Sequence, residues 1–448
     1  MKKLLSLTLI VLNSVTTQAM LTDETLLKKV NLSDHEFLSH INANYPEMVR
    51  LTEAVRGSPE SQRVDNEHSP SKKLFGKQHI EFDRTAVGIL AVKWVLTNNY
   101  AQFVTGQPES LKLKKESFDA LRRSTLLLVE RKQLNALITS LALNDLGKVI
   151  AFCKEVEQRK KSEDIDHDNV LLTALHKYPD LVPSFKKLST VDQEMILKGM
   201  GAQFNLGQFV QAENLPANLK GLCNLSQNEL DFHNLHTLFD VSGALGHVSS
   251  QGSLVLTEPT YQSFAMAFKA LSDIPSALND RSLIDAYDHY LTMRTAQLTG
   301  ESIKTLEDRT VARLAFMIRV DNADQFNEVK STFAELPNTI QKIFVDELNK
   351  MGIDDHGILL YYAPSVLVNA KAAFKQNPKD GLRIALSYLA ELFTLVRAKI
   401  VPNTKNGVYI VDCAALANKI KTPAELETFC MELEAVGNNA RVLLKPKV

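Results

Sequence analysis

The feature that most narrows the folds open to this chain is an apolar pattern of helical period, sustained from Phe82 to Ala398 with few interruptions. Only 18 glycines and 15 prolines are spread over 448 residues, too few to punctuate a β-sandwich or barrel, which needs turn signals roughly every 8–12 residues. Ala86, Ile89, Leu90, Val92 and Leu96 make one apolar face around Trp94, and Leu126, Leu127, Leu128, Leu134, Leu137 and Leu141 build another. The pattern predicts an all-α body, a multi-helix bundle. Its end departs from that period: Val408-Tyr409-Ile410-Val411 and Arg441-Val442-Leu443-Leu444 read as strands on either side of a helix from Pro423 to Glu434, which predicts a small β-α-β or two-strand appendage. No fixed internal period is present, so regular solenoid units are not expected.

Ahead of the helical run, residues 21–56 read as two short helices, the second started by Ser33 or Asp34. Gly57 to Lys73 is rich in Ser and Pro and poor in apolar residues, which predicts a surface linker. The chain thus divides into a leader over 1–19, helices and linker over 20–75, a helical main domain over 76–400 and a tail over 401–448. The leader is read from basic Met1-Lys2-Lys3, the apolar run Leu4 to Leu12 and the small-residue site Thr17-Gln18-Ala19. The run is too short to span a bilayer, so the expectation is a cleaved signal, a mature start near Met20 and a periplasmic or secreted protein without membrane insertion. With 51 Lys and Arg against 52 Asp and Glu, the net charge of −1 gives no field that argues for nucleic acid. Export leaves Cys153, Cys223, Cys413 and Cys430 open to three pairings, of which Cys413–Cys430, flanking one short helical unit, comes first. No CxxC occurs, which argues against a zinc ribbon or a thioredoxin-type motif.

Chemistry concentrates between Asp231 and His247. Phe232, Leu235, Leu238 and Phe239 recur at helical spacing, so His233, His236 and Asp240 at i, i+3 and i+7 fall within an arc of about 60°. Three side chains suited to a transition metal therefore share one stripe. Gly243 and Gly246 can end that helix and fold the chain back, with His247 as a fourth ligand. His167-Asp168 is a second candidate pair, two adjacent ligands at a helix start whose acidic approach equally suits a plain N-terminus. Asp354-Asp355-His356-Gly357 reads either as a ligand cluster or as a helix N-cap. Arg309 and Arg313, one turn apart, can grip a phosphate or pair with acids on neighbouring helices.

Imidazole and carboxylate ligands without thiolate suit Zn, Mn or Fe, and an open position on such a metal turns bound water into a nucleophile. The expectation is a metal-dependent hydrolase, most naturally of a small phosphoester. The zincin motif His-Glu-x-x-His, the Gly-x-Ser-x-Gly elbow and glycine-rich phosphate loops are all missing from the sequence. Several His and Asp residues spread over an all-helical chain resemble the HD superfamily, whose members are mostly metal-dependent phosphohydrolases. The resemblance rests on His167-Asp168 and on His233, His236 and Asp240. The superfamily's order is a His, a His-Asp pair and a distal Asp; it implies His79 as the first, His167-Asp168 as the pair and Asp240 as the last. The residues before His167 are acidic where the superfamily has an apolar run. The competing expectation is an exported helical interaction or structural protein without catalysis, with a protein partner and with His233 and His236 packed in the core.

Overall fold

A computed structural model describes residues 22–54, 66–160, 167–276, 279–400, 407–417, 420, 422–425 and 443–444. The expected leader and Cys430 lie outside these residues, as does most of the expected helix from Pro423. The chain is all-α with one small sheet near its C-terminus.

At the centre lies the helix Ile80–Leu96 (α1), on which every residue from Thr85 to Val95 is buried. The sequence showed a face around Trp94; the structure buries the helix on all sides, as expected for one apolar all round. Helices Leu134–Leu143 (α2) and Gln227–Gly243 (α3) pack against it. Ser226 starts α3 through a capping box with Glu229, which satisfies backbone donors that the helix would otherwise leave open. The α1–α3 crossing is backbone on backbone. A Cβ added to Gly88 would stand 2.8 Å from the Phe239 carbonyl oxygen, and one added to Gly243 only 2.1 Å from that of Arg84. Gly243 and Gly246, expected to turn the chain, serve first to let these two helices touch.

Near the start of the described chain, Asp23–Lys29 and Asp34–Asn44 are the two expected helices, and Ser33 caps the second with Glu36. Part of the expected linker is ordered structure. Ser69 caps a helix Pro70–Phe75, and buried Ser69 and Ser71 hydrogen-bond to the carboxylate of Asp83 on α1. A Ser- and Pro-rich segment can be held in this way because the Ser69 hydroxyl and the Ser71 backbone N–H both donate to a buried acid.

In the C-terminal part, strand His356–Tyr361 (β1) runs into helices Ala363–Ala373 (α4) and Pro378–Lys399 (α5) before strand Gly407–Asp412 (β2). β1 pairs parallel to β2 from His356 opposite Gly407 to Tyr361 opposite Asp412. Leu443–Leu444 (β3) adds antiparallel to Tyr409 and Ile410. The tail is therefore not a self-contained β-α-β unit: its sheet draws a strand from the region read as helical. The Asp354-Asp355-His356 cluster is a turn into that strand, with Asp355 accepting from the backbone of Met351 and Gly352 and the His356 ring tilted against that of Tyr409. Cys413, at the end of β2, is a buried free thiol that burial pushes up to about 12.

Candidate functional site

The four residues of the expected metal stripe do not converge. His233 leaves α3 towards helix Thr190–Gly201, beside Gly199 and the Phe204 backbone and ring. Burial, reinforced by neighbouring His236, lowers it to about 4, so the ring is neutral. His236 faces the Ser140 backbone on α2; burial lowers its pKa while Asp240 works the other way. Nε2 of each imidazole is buried without a hydrogen-bond partner. Asp240 is exposed and accepts from Asn144 Nδ2 at 3.3 Å. His247 is buried beyond the end of α3, near Arg84 and Glu81, and burial lowers its pKa. Gln78 Nε2 donates to its carbonyl at 2.7 Å, which fixes the turn. A stripe fixes where side chains leave a helix; here different neighbours receive each one. Among the described residues no group of three His, Cys, Asp or Glu side chains is placed to hold a metal ion, so the stripe does not fit the Zn, Mn or Fe expected of it.

The other candidates do not form a site among the described residues. His167 and Asp168 begin the helix His167–Lys177, and their side chains lie outside the described residues. His79 stands before α1, its N–H donating to Ser71 Oγ at 2.7 Å. Arg309 and Arg313 are buried, both over the Tyr287 ring. Arg309 pairs with Asp288 at 2.8 Å and donates to the Leu348 carbonyl. Arg313 donates to the carbonyls of Ala212, Asn214 and Leu348. Arg309 thus takes the second of the two expected roles, pairing with an acid on a neighbouring helix, and the remaining donors of both tie loops together, because a guanidinium can satisfy several buried carbonyls at once.

What the fold does assemble is a group that the sequence reading passed over. Glu81 and Arg84 stand on the first turns of α1, and Asp145 and Lys148 follow the end of α2. Lys148 Nζ donates to Asp145 Oδ1 at 2.7 Å and to Glu81 Oε2 at 2.9 Å, while Arg84 Nη1 reaches Glu81 Oε1 at 3.1 Å. The Glu81 side chain is 0% exposed, Asp145 10% and Lys148 14%, so the pairs are held largely out of water. Burial, with Glu81 and Asp240 behind it and Lys148 opposing, pushes the Asp145 carboxyl up to about 7. Burial works against the charged form of Lys148, but the two carboxylates outweigh it and raise its pKa. Arg84 is raised in the same manner, with Glu81, Asp145 and Asp240 all contributing. Three carboxylates from three segments thus face two internal cations. The sequence signal was present in Glu81, Asp83 and Arg84 within an otherwise apolar helix, and in Asn144-Asp145-Leu146-Gly147-Lys148 closing another.

The model of one family, described as a family of unknown function, matches residues 38–429 and so spans all the elements of this centre. No curated protein and no solved structure matches the chain.

Proposed function

Since the chain belongs to DUF6829, a family of unknown function, we propose a role from the centre itself: a helical binding or structural protein, not a hydrolase, whose buried carboxylates are neutralised by its own cations. The observation that carries the reading is the Lys148 ammonium, 2.7 and 2.9 Å from two of the three carboxylates. A cation bridging two acids already satisfies the charge that would draw in a divalent ion, and Arg84 adds a second. Acids without imidazoles, and with two fixed positive charges, are a poor donor set for Zn, Mn or Fe.

One observation favours the second reading, hydrolysis of a phosphoester. Asp145 has a carboxyl raised to about 7 and is 10% exposed, the character of a general base. The two readings separate in one assay: release of nitrophenol from p-nitrophenyl phosphate and its bis ester, with and without added Mn²⁺ or Zn²⁺. The proposal expects no turnover above that of Asp145→Asn. Turnover that disappears in both Asp145→Asn and Asp240→Asn would install the hydrolase reading in its place.

A further inference from the structure

A cleft of about 190 Å³ opens on the other side of α1, away from the ion-paired centre. Its floor is apolar, made by Leu38, Leu90 and Leu74. Its rim carries three basic side chains, His35, His68 and Lys73, all exposed. The one acid in the lining, Asp34, is already engaged: the Lys93 ammonium bonds its Oδ1, and the Trp94 indole N–H reaches its oxygens at 3.0 and 3.2 Å. Among the described lining residues the cleft therefore presents the Lys73 ammonium and two imidazoles, with its one acid already paired. Its rim is also pre-set. Ser250 Oγ donates to the His68 carbonyl at 2.6 Å, His68 N–H donates to Asn66 Oδ1 at 3.0 Å, and Gln102 Nε2 bonds the Gln251 carbonyl. A preformed cleft with an apolar floor and a few polar groups at its mouth is the usual form of a small-molecule site.

We propose that this cleft binds a small organic anion, its anionic head held at the rim by Lys73, His35 and His68 and its short apolar body laid on Leu38, Leu74 and Leu90. The volume equals that of about six water molecules, which sets the size at a short-chain acid or its phosphate counterpart. The inference stands on different residues from the proposed function and survives or fails without it.

The test is calorimetric titration of the full chain with four probes: hexanoate, hexyl phosphate, hexanol and inorganic phosphate. One-to-one binding of hexanoate or hexyl phosphate is expected, and the tighter of the two tells a carboxylate ligand from a phosphate one. Lys73→Met, an exposed change, should weaken the bound probe about tenfold, the loss of one charge-assisted hydrogen bond. Leu74→Trp, which fills the cleft, should abolish binding while circular dichroism stays helical. No binding by either anion would overturn the proposal. Hexanol binding as tightly as hexanoate, or inorganic phosphate as tightly as hexyl phosphate, would also overturn it, as would affinity unchanged in Lys73→Met.

Discussion

Replacing Lys148 by Met removes the ammonium that joins Glu81 to Asp145 while keeping most of the side-chain volume. At pH 8 the change leaves two carboxyls buried beside each other, with the ammonium between them gone and Arg84 still paired with Glu81. Breaking a buried pair by removing one partner costs about 3–5 kcal/mol, because the remaining charge is stranded. Lys148, Asp145 and Glu81 are all at least 86% covered, so screening by solvent takes little off that range. The loss has a second signature. A proton on either carboxyl removes the repulsion, so the destabilisation should shrink as pH falls from 8 to 5. Adding Asp145→Asn to Lys148→Met should recover much of the stability at pH 8 for the same reason. Urea unfolding at the two pH values measures both effects. A loss below about 1 kcal/mol at pH 8, the range of an exposed pair, would refute the reasoning, as would a loss equal at pH 8 and pH 5.

Other expected outcomes follow from the packing and the leader. Gly243→Ala places a Cβ about where the Arg84 carbonyl oxygen sits, 2.1 Å away; overpacking of this kind costs about 1–3 kcal/mol or more, and urea unfolding should show it. His233 is lowered to about 4 in the folded protein, while the unfolded chain takes up its proton near 6.5, so its contribution to stability is lost as pH falls from 6.5 towards 4. Asp145 acts with the opposite sign, since its raised carboxyl binds a proton in the folded state between about 4 and 7. His233→Gln should therefore flatten the acid side of the stability profile, and Asp145→Asn should steepen it; an unchanged profile in both would contradict the two assignments. Sequencing of the mature N-terminus from an expressing, exporting cell should begin near Met20, and Met1 found intact would remove the export proposal.

Much of the fold was legible because it is local. Capping residues such as Ser33 and Ser226 and the 3.6-residue apolar period declare helices wherever a helix meets solvent on one side. The exceptions have physical causes. Ile358-Leu359-Leu360 is an apolar run too short to show a period, so its pairing with β2 some fifty residues on was hidden. Ser69 and Ser71 looked like linker because their partner, Asp83, is not next to them in sequence. For the site, the stripe of His233, His236 and Asp240 was real as geometry on one helix. Sequence spacing does not say that Gly199 and Phe204 wait opposite one imidazole and Ser140 opposite the next. The ion-paired centre joins residues from Glu81 to Asp240 across three helices, and no periodicity links such distant positions.

The most direct test of the central claim, that Lys148 and Arg84 neutralise the buried carboxylates without a metal, is elemental analysis of the purified full chain, prepared without chelator and with Zn, Mn and Fe supplied. The account predicts metal far below one ion per chain in the wild type, and no change in Asp145→Asn. One ion per chain, lost in Asp145→Asn, would contradict it.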